Sequence, residues 1–204
     1  MALARRRSSM IANLSEGVAA FTSNAYLVTG ERTVLVDAGA NYDVVSAVRE
    51  HVDDLDGVVL THTHDDHVEN VPALREAFGV ETWGFDPGRE HVDHGIADGG
   101  TVTLGEHDYE ALHTPGHKED HLVFLSRAAG VGFVGDLVFA GGSFGRTDLE
   151  EGDSRKLVES IERLTAFLDD RGTAIDVCYA GHGPAIDGPI DGVEASLRAA
   201  RFAR

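Results

Sequence analysis

Directly after the apolar run Val58–Leu60 the chain reads Thr61-His62-Thr63-His64-Asp65-Asp66-His67, three imidazoles and two carboxylates within six consecutive residues. Such groups enter a folded interior only with hydrogen-bonding or metal partners. Any fold for this chain therefore ends a buried strand here, at an edge, and brings complementary side chains to meet it. In a tight turn, His62 and His64 face one point while Asp66 and His67 face a second close by. The same local pattern recurs three times. His117 follows His113-Thr114-Pro115-Gly116, Asp136 follows Val131–Val134 and Gly135, and His182 follows Ile175–Ala180 and Gly181. Each is a strand, a turn signalled by Gly or Pro, and one ligand-type side chain. Four such ends, converging, supply donors for two metal ions, and an imidazole–carboxylate set suits zinc, iron or manganese.

The hydrophobic pattern around these segments predicts short strands interspersed with helices. Asn24–Thr29 and Thr33–Val36 flank Gly30-Glu31 as a hairpin-like pair, and Asp37-Ala38-Gly39 breaks the second strand. Asn41 is placed to cap a helix reaching about Val52, with Val44, Val45, Val48 and Val52 on one face. A second helix is predicted from Val68 to Gly79, and strands at Val80–Trp83, Thr101–Leu104, Tyr109–His113, His121–Leu125 and Val131–Val134. Asp153 or Ser154 caps a long helix with Leu157, Val158, Ile161, Leu164 and Leu168 at helical spacing, ended by Arg171-Gly172. The strand Ile175–Ala180 and a helix over about Gly192–Phe202 follow. Two groups of strands, each followed by helices, predict an α/β (α+β) fold of two packed sheets with helices outside.

A chain of 204 residues suits one domain with a full core, expected over residues 9–204, preceded by a mobile arm at residues 1–8. The three arginines at 5–7 are not followed by an apolar run, a poor secretory signal, and no apolar stretch is long enough to span a membrane. The net charge of -18 repels phosphate backbones, so no nucleic-acid partner is expected. Lys118 and Lys156 are the only lysines among 17 cations. Much acid with little lysine predicts a surface adapted to high salt. The single cysteine, Cys178, forms no internal disulfide and reads as a small core residue, consistent with a reducing, cytoplasmic setting.

With these residues assembled, H-x-H-x-D-H at His62–His67 followed in order by His117, Asp136 and His182, the chain resembles the metallo-β-lactamase superfamily from about Asn24 to Pro184. The resemblance implies a four-layer αββα sandwich with its site along the edge where the sheets meet. It implies two divalent metal ions, zinc first, with iron and manganese as alternatives. His62, His64 and His117 would hold one and Asp66, His67 and His182 the other, with Asp136 and a water or hydroxide as bridges. Asp66 is also implied to orient the nucleophile. Paired cations bring a bridging water to hydroxide near neutral pH, ready to attack a carbonyl.

Gly135-Asp136-Leu137-Val138-Phe139, followed by Gly145-Arg146-Thr147-Asp148, is similar to the short glyoxalase II-like (hydroxyacylglutathione hydrolase) branch. That implies a small-molecule thioester substrate, S-lactoylglutathione or an acyl derivative of another thiol. Persulfide dioxygenases, which use one iron held by a His-His-Asp set, share the Gly-Arg-Thr-Asp run and stand as the alternative. Lys118 and Arg146 are candidate contacts to a substrate carboxylate, Arg146 alternatively pairing with Asp148. His121 is expected to support the site without ligating. His51, His91, His94 and His107 are expected in surface or packing roles.

Overall fold

The computed structural model describes residues 10–169 and 174–203. The arm expected at residues 1–8 and the helix end expected at Arg171-Gly172 lie outside them. Two six-stranded sheets form the centre. The first holds β1 (Met10–Asn13), β2 (Tyr26–Thr29), β3 (Val34–Val36), β4 (Gly57–Val59), β5 (Thr82–Gly84) and β6 (His94–Gly95) in sequence order. The pairings β1–β2 and β2–β3 are antiparallel and the rest parallel.

The second sheet starts with the meander β7 (Thr101–Leu104), β8 (His107–His113), β9 (Leu122–Ser126) and β10 (Val131–Gly135). A ribbon of β11 (Val138–Phe139) and β12 (Ser143–Phe144) leaves the end of β10. Strand β13 (Val177–Ala180) then pairs parallel to β10, and β14 (Ile186–Asp187) closes the edge. The helices are α1 (Val44–Arg49), α2 (Asp65–Val68), α3 (Val71–Phe78), α4 (Ser154–Asp169) and α5 (Pro189–Phe202).

Side-chain alternation along the strands builds three cores between four layers. Tyr26, Val28, Val34, Val36 and Val59 meet Leu122, Phe124 and Phe133 between the sheets. Their alternates Leu27, Leu35 and Val58 pack with Val44, Val48, Val71 and Leu74 of α1 and α3. Val123, Leu125 and Cys178 face Leu157, Ile161, Leu164, Val193 and Leu197 of α4 and α5. The result is the expected αββα sandwich, and no helix among the described residues is long and apolar enough to cross a membrane.

The structure redraws two predicted helices. Asn41 is not a cap: it lies in the left-handed region (φ 60) and its side chain donates to the Phe21 carbonyl. Asp43 caps α1, accepting from Ser46 N at 3.0 Å. The helix predicted from Val68 to Gly79 is shorter, α3, because a continuous helix from Val68 would set Pro72 against the carbonyl four residues back, and Asp65–Val68, read as part of a tight turn, forms a separate helical turn, α2. The break gives the acidic part of the histidine segment a helical turn of its own. The long helix is capped by Asp153, which accepts from Arg155 N at 2.8 Å. Strands β6, β11 and β12, at two residues each, are too short to show a period in the sequence.

The ends of β3, β4, β10 and β13, with the turn from β8 to β9, lie at one edge of the sandwich. Thr61 O accepts from Leu122 N at 2.7 Å and ties the two sheets together there. Gly181 N donates to Gly135 O at 2.8 Å, and Asn24 N to Gly181 O at 2.7 Å. The site stands on these cross-ties.

Candidate metal centre

All seven predicted side chains meet at this edge. His62 Nε2 and His117 Nε2 stand 3.0 and 2.9 Å from His64 Nδ1. On the other side, His182 Nε2 lies 3.0 Å and His67 Nε2 3.9 Å from Asp66 Oδ2. Asp136 lies between the two groups: Oδ2 is 3.4 Å from His117 Nε2 and 3.5 Å from His182 Nε2, and Oδ1 is 3.5 Å from His67 Nε2. Two separate clusters, His62–His64–His117 and Asp66–His67–His182, each keep their ligand atoms within 4.8 Å of one another, and His62, His67 and Asp136 form a third that links them. Buried His67 Nε2 and Asp136 Oδ1 have no hydrogen-bond partner. Burying such atoms unpaired is costly, and a cation at this point would satisfy both. The donor set and its orphaned atoms thus fit a divalent metal.

The surroundings fix which nitrogen points inward in three of the rings. Thr61 donates its hydroxyl to Asp37 Oδ2 (2.8 Å), so Thr61 Oγ1 accepts from His62 Nδ1 (3.1 Å), leaving the His62 Nε2 lone pair toward the centre. His117 Nδ1 donates to the Arg146 carbonyl at 2.8 Å. His67 Nδ1 donates to Asp37 Oδ2 at 2.9 Å. His121 does not reach the cluster: its Nε2 accepts the Asp136 backbone N–H at 3.0 Å and its Nδ1 meets Thr114 Oγ1 at 2.8 Å. It supports Asp136 from behind. His113 stacks on Phe85 and bonds the Glu119 carbonyl, away from the site.

Electrostatics follow the packing. Burial, then neighbouring imidazoles, lowers His62 far below its usual range, and burial with His117 and Lys118 holds His64 at about 4. Burial also lowers His117 and, strongly, His121. These rings are neutral at pH 7, with lone pairs available. Burial alone would lower His67 as well, but Asp37 and Asp136 outweigh it and raise it well above its normal value. Asp136 moves the opposite way: burial opposes ionisation, but His67 and then His182 and His117 hold it strongly ionised.

Glycines make the close approach possible. A Cβ on Gly181 would overlap Asp136 Oδ1 and come within 2.8 Å of His67 Cε1, and one on Gly145 would overlap the Asp136 carbonyl. An open pocket of about 740 Å³ lies over the cluster, bordered by Phe21, Phe139, Leu149, Lys118, Arg146 and Glu151. Both candidate substrate cations border it with carboxylates already engaged: Lys118 Nζ is 3.2 Å from Glu151 Oε1, and Arg146 makes two bonds to Asp148, at 2.9 and 2.8 Å.

Asp37 was missed by the sequence reading, which took it for a strand breaker. It accepts Thr61 N at 2.8 Å as well as Thr61 Oγ1 and His67 Nδ1. The pattern that marked the other residues, an apolar strand ending in a ligand-type side chain, also fits Val34-Leu35-Val36-Asp37. Asp120, also missed, is buried and accepts from Thr63 Oγ1 at 2.6 Å, bracing the histidine segment.

The family model described as the Metallo-beta-lactamase superfamily matches residues 18–182. The chain is 31% identical over 192 residues to the hydroxyacylglutathione hydrolase GloC of Haemophilus influenzae, covering 81% of this chain and 88% of that one. It is 36% identical over 141 residues to a hydroxyacylglutathione hydrolase of Cereibacter sphaeroides, covering 68% of this chain; there it spans about half (54%) of the relative's length. Among solved structures it is similar to TTHA1623 in a di-iron-bound form, with 27% identity and a TM-score of 0.71, covering 89% of this chain and 96% of that one.

Proposed function

The chain belongs to the metallo-β-lactamase superfamily, and on that premise we propose that it is a dinuclear metallohydrolase of thioesters, cleaving S-acyl derivatives of glutathione or of another low-molecular-weight thiol. The observation that carries this reading is the convergence of seven imidazole and carboxylate side chains as two donor sets with Asp136 between them, two of their buried atoms lacking hydrogen-bond partners. The likeness to hydroxyacylglutathione hydrolases supports the substrate class.

His62, His64 and His117 would hold one cation and Asp66, His67 and His182 the other, with Asp136 shared; zinc fits the donors, and the di-iron relative makes iron the alternative. Divalent cations held there supply charge that acidifies water and polarises a carbonyl. The protein does the rest. Asp66 lies on the pocket floor; burial opposes its charge, but the His182 bond and neighbouring imidazoles keep it ionised. It accepts a hydrogen bond from the attacking water and turns the oxygen toward the acyl carbon. The water oxygen adds to the acyl carbon, the carbonyl re-forms as the carbon–sulfur bond breaks, and one proton of the water ends on the departing thiolate, giving acid and thiol. A thiol pKa of about 8.5 makes the thiolate a good leaving group, so no separate strong acid is required.

Metal analysis of the purified protein, a thioester assay that reads free thiol, and an oxygen electrode test this reading together. Two metal equivalents and thiol release without oxygen uptake are expected. One iron per chain with oxygen consumption and sulfite formation from a persulfide would overturn it in favour of the dioxygenase.

A further inference from the structure

Exposed large apolar side chains are few on the described surface: Met10, Phe21 (74% exposed), Leu149 (39%) and Phe202. Two of these four, Phe21 and Leu149, stand on the rim of the pocket over the metal cluster, joined there by Phe139. Both phenylalanine rings flank His182, Phe21 stacked at 5.7 Å and 18° and Phe139 edge-on at 6.1 Å and 62°. Phe21 is held outward by its backbone. Its carbonyl accepts from Asn41 Nδ2 at 2.9 Å, and the next residue, Thr22, accepts Ala40 N on its hydroxyl at 2.8 Å. Apolar surface held in water beside a reactive centre lowers the free energy only when something apolar covers it.

The charges on the same rim point the same way. Lys118 is bonded to Glu151, which two guanidinium nitrogens of Arg89 also hold, and Arg146 is bonded to Asp148. Glu150 and Asp65 border the pocket as well, and the chain carries a net charge of -18. A negatively charged acyl group at this rim meets repulsion, and cations that are already engaged.

We propose that the rim formed by Phe21, Phe139 and Leu149 is the acyl subsite, and that the substrate is a thioester of an apolar acyl group rather than of a small hydroxylated one. This rests on the thioesterase reading and narrows it. The assignment to the acyl side follows from chemistry: thiol carriers of the glutathione kind are amides, polar along their length, so the apolar part of such a thioester is its acyl chain. Phe21 is the residue that sets the preference, since its ring is both the most exposed of the three and stacked on His182.

The test uses the zinc-loaded protein and two ligand pairs built on N-acetylcysteamine, a neutral thiol. Calorimetry compares the octyl and methyl thioethers, which cannot be hydrolysed; kinetics compare the octanoyl and acetyl thioesters. The octyl thioether binds at least about tenfold more tightly than the methyl one, and Phe21→Ala lowers the octanoyl-to-acetyl ratio of kcat/KM about tenfold. Phe21→Leu keeps most of that ratio, and Leu149→Ala lowers it in the same direction. Equal binding of the two thioethers overturns the inference whatever the activity. A Phe21-dependent octyl preference without hydrolysis of either thioester leaves the apolar subsite standing and removes the thioesterase reading instead.

Discussion

Replacing Asp37 with Asn tests whether the centre depends on a carboxylate that touches none of the proposed substrate. Asp37 is buried, and it accepts three hydrogen bonds: from Thr61 N and Thr61 Oγ1, both at 2.8 Å, and from His67 Nδ1 at 2.9 Å. Its backbone is left-handed (φ 58), a conformation Asn tolerates, so the change leaves the main chain unstrained. Asn offers one oxygen. Turned toward Thr61 Oγ1 and His67, it sets its amide nitrogen against the Thr61 N–H, donor against donor, at a cost of about 1–3 kcal/mol for the unpaired group. The two bonds that remain lose charge assistance, about 1 kcal/mol each. The variant should therefore lose about 3–5 kcal/mol in urea denaturation of the metal-free protein, and bind zinc about 10–100-fold more weakly in competition with a chelating dye. Stability within about 1 kcal/mol of the parent and an unchanged zinc Kd would refute the reasoning.

Three further outcomes are expected. Gly181→Ala should lower zinc content while far-UV circular dichroism stays native, because the new Cβ displaces Asp136 and crowds His67; full zinc content would show that the neighbours yield. Glu151, held by Arg89 and then Lys118, titrates at about 2 instead of 4.5. Because the folded pKa is depressed, its contribution is present above about pH 4.5 and disappears as pH falls through about 2. After discounting for its partial exposure, Glu151→Gln should cost about 1 kcal/mol at pH 7 and nothing near pH 2 in paired denaturation curves; a gap independent of pH would contradict the ion-pair origin. The net charge of -18 predicts a melting temperature that climbs from low to molar KCl, followed by scanning calorimetry; a flat profile would remove the salt-adapted reading.

Local chemistry was legible in the chain itself. Turn residues after apolar runs marked His62, His64, Asp66, His67, His117, Asp136 and His182 because each signal spans only a few neighbouring residues. Period-two and helical spacing similarly located most strands and the long helix, whose Leu157, Val158, Ile161 and Leu164 are buried as expected. Where competition between nearby residues decided the outcome, the reading slipped. Asp43 took the cap expected at Asn41, and Pro72 held the second predicted helix back to Val71, apart from the helical turn at Asp65–Val68.

Tertiary structure alone decided what each residue meets. Asp37 looks like a strand breaker until β3 and β4 align in parallel and bring Thr61 and His67 to it across 24 and 30 residues. Asn41 and Phe21, and Lys118 and Glu151, are likewise paired only through the fold. Residue type and spacing are properties of a short stretch of chain. Which strand ends share an edge, and which carboxylate reaches which imidazole, depends on sheet register and on how two twisted sheets pack, which are set by the whole core at once.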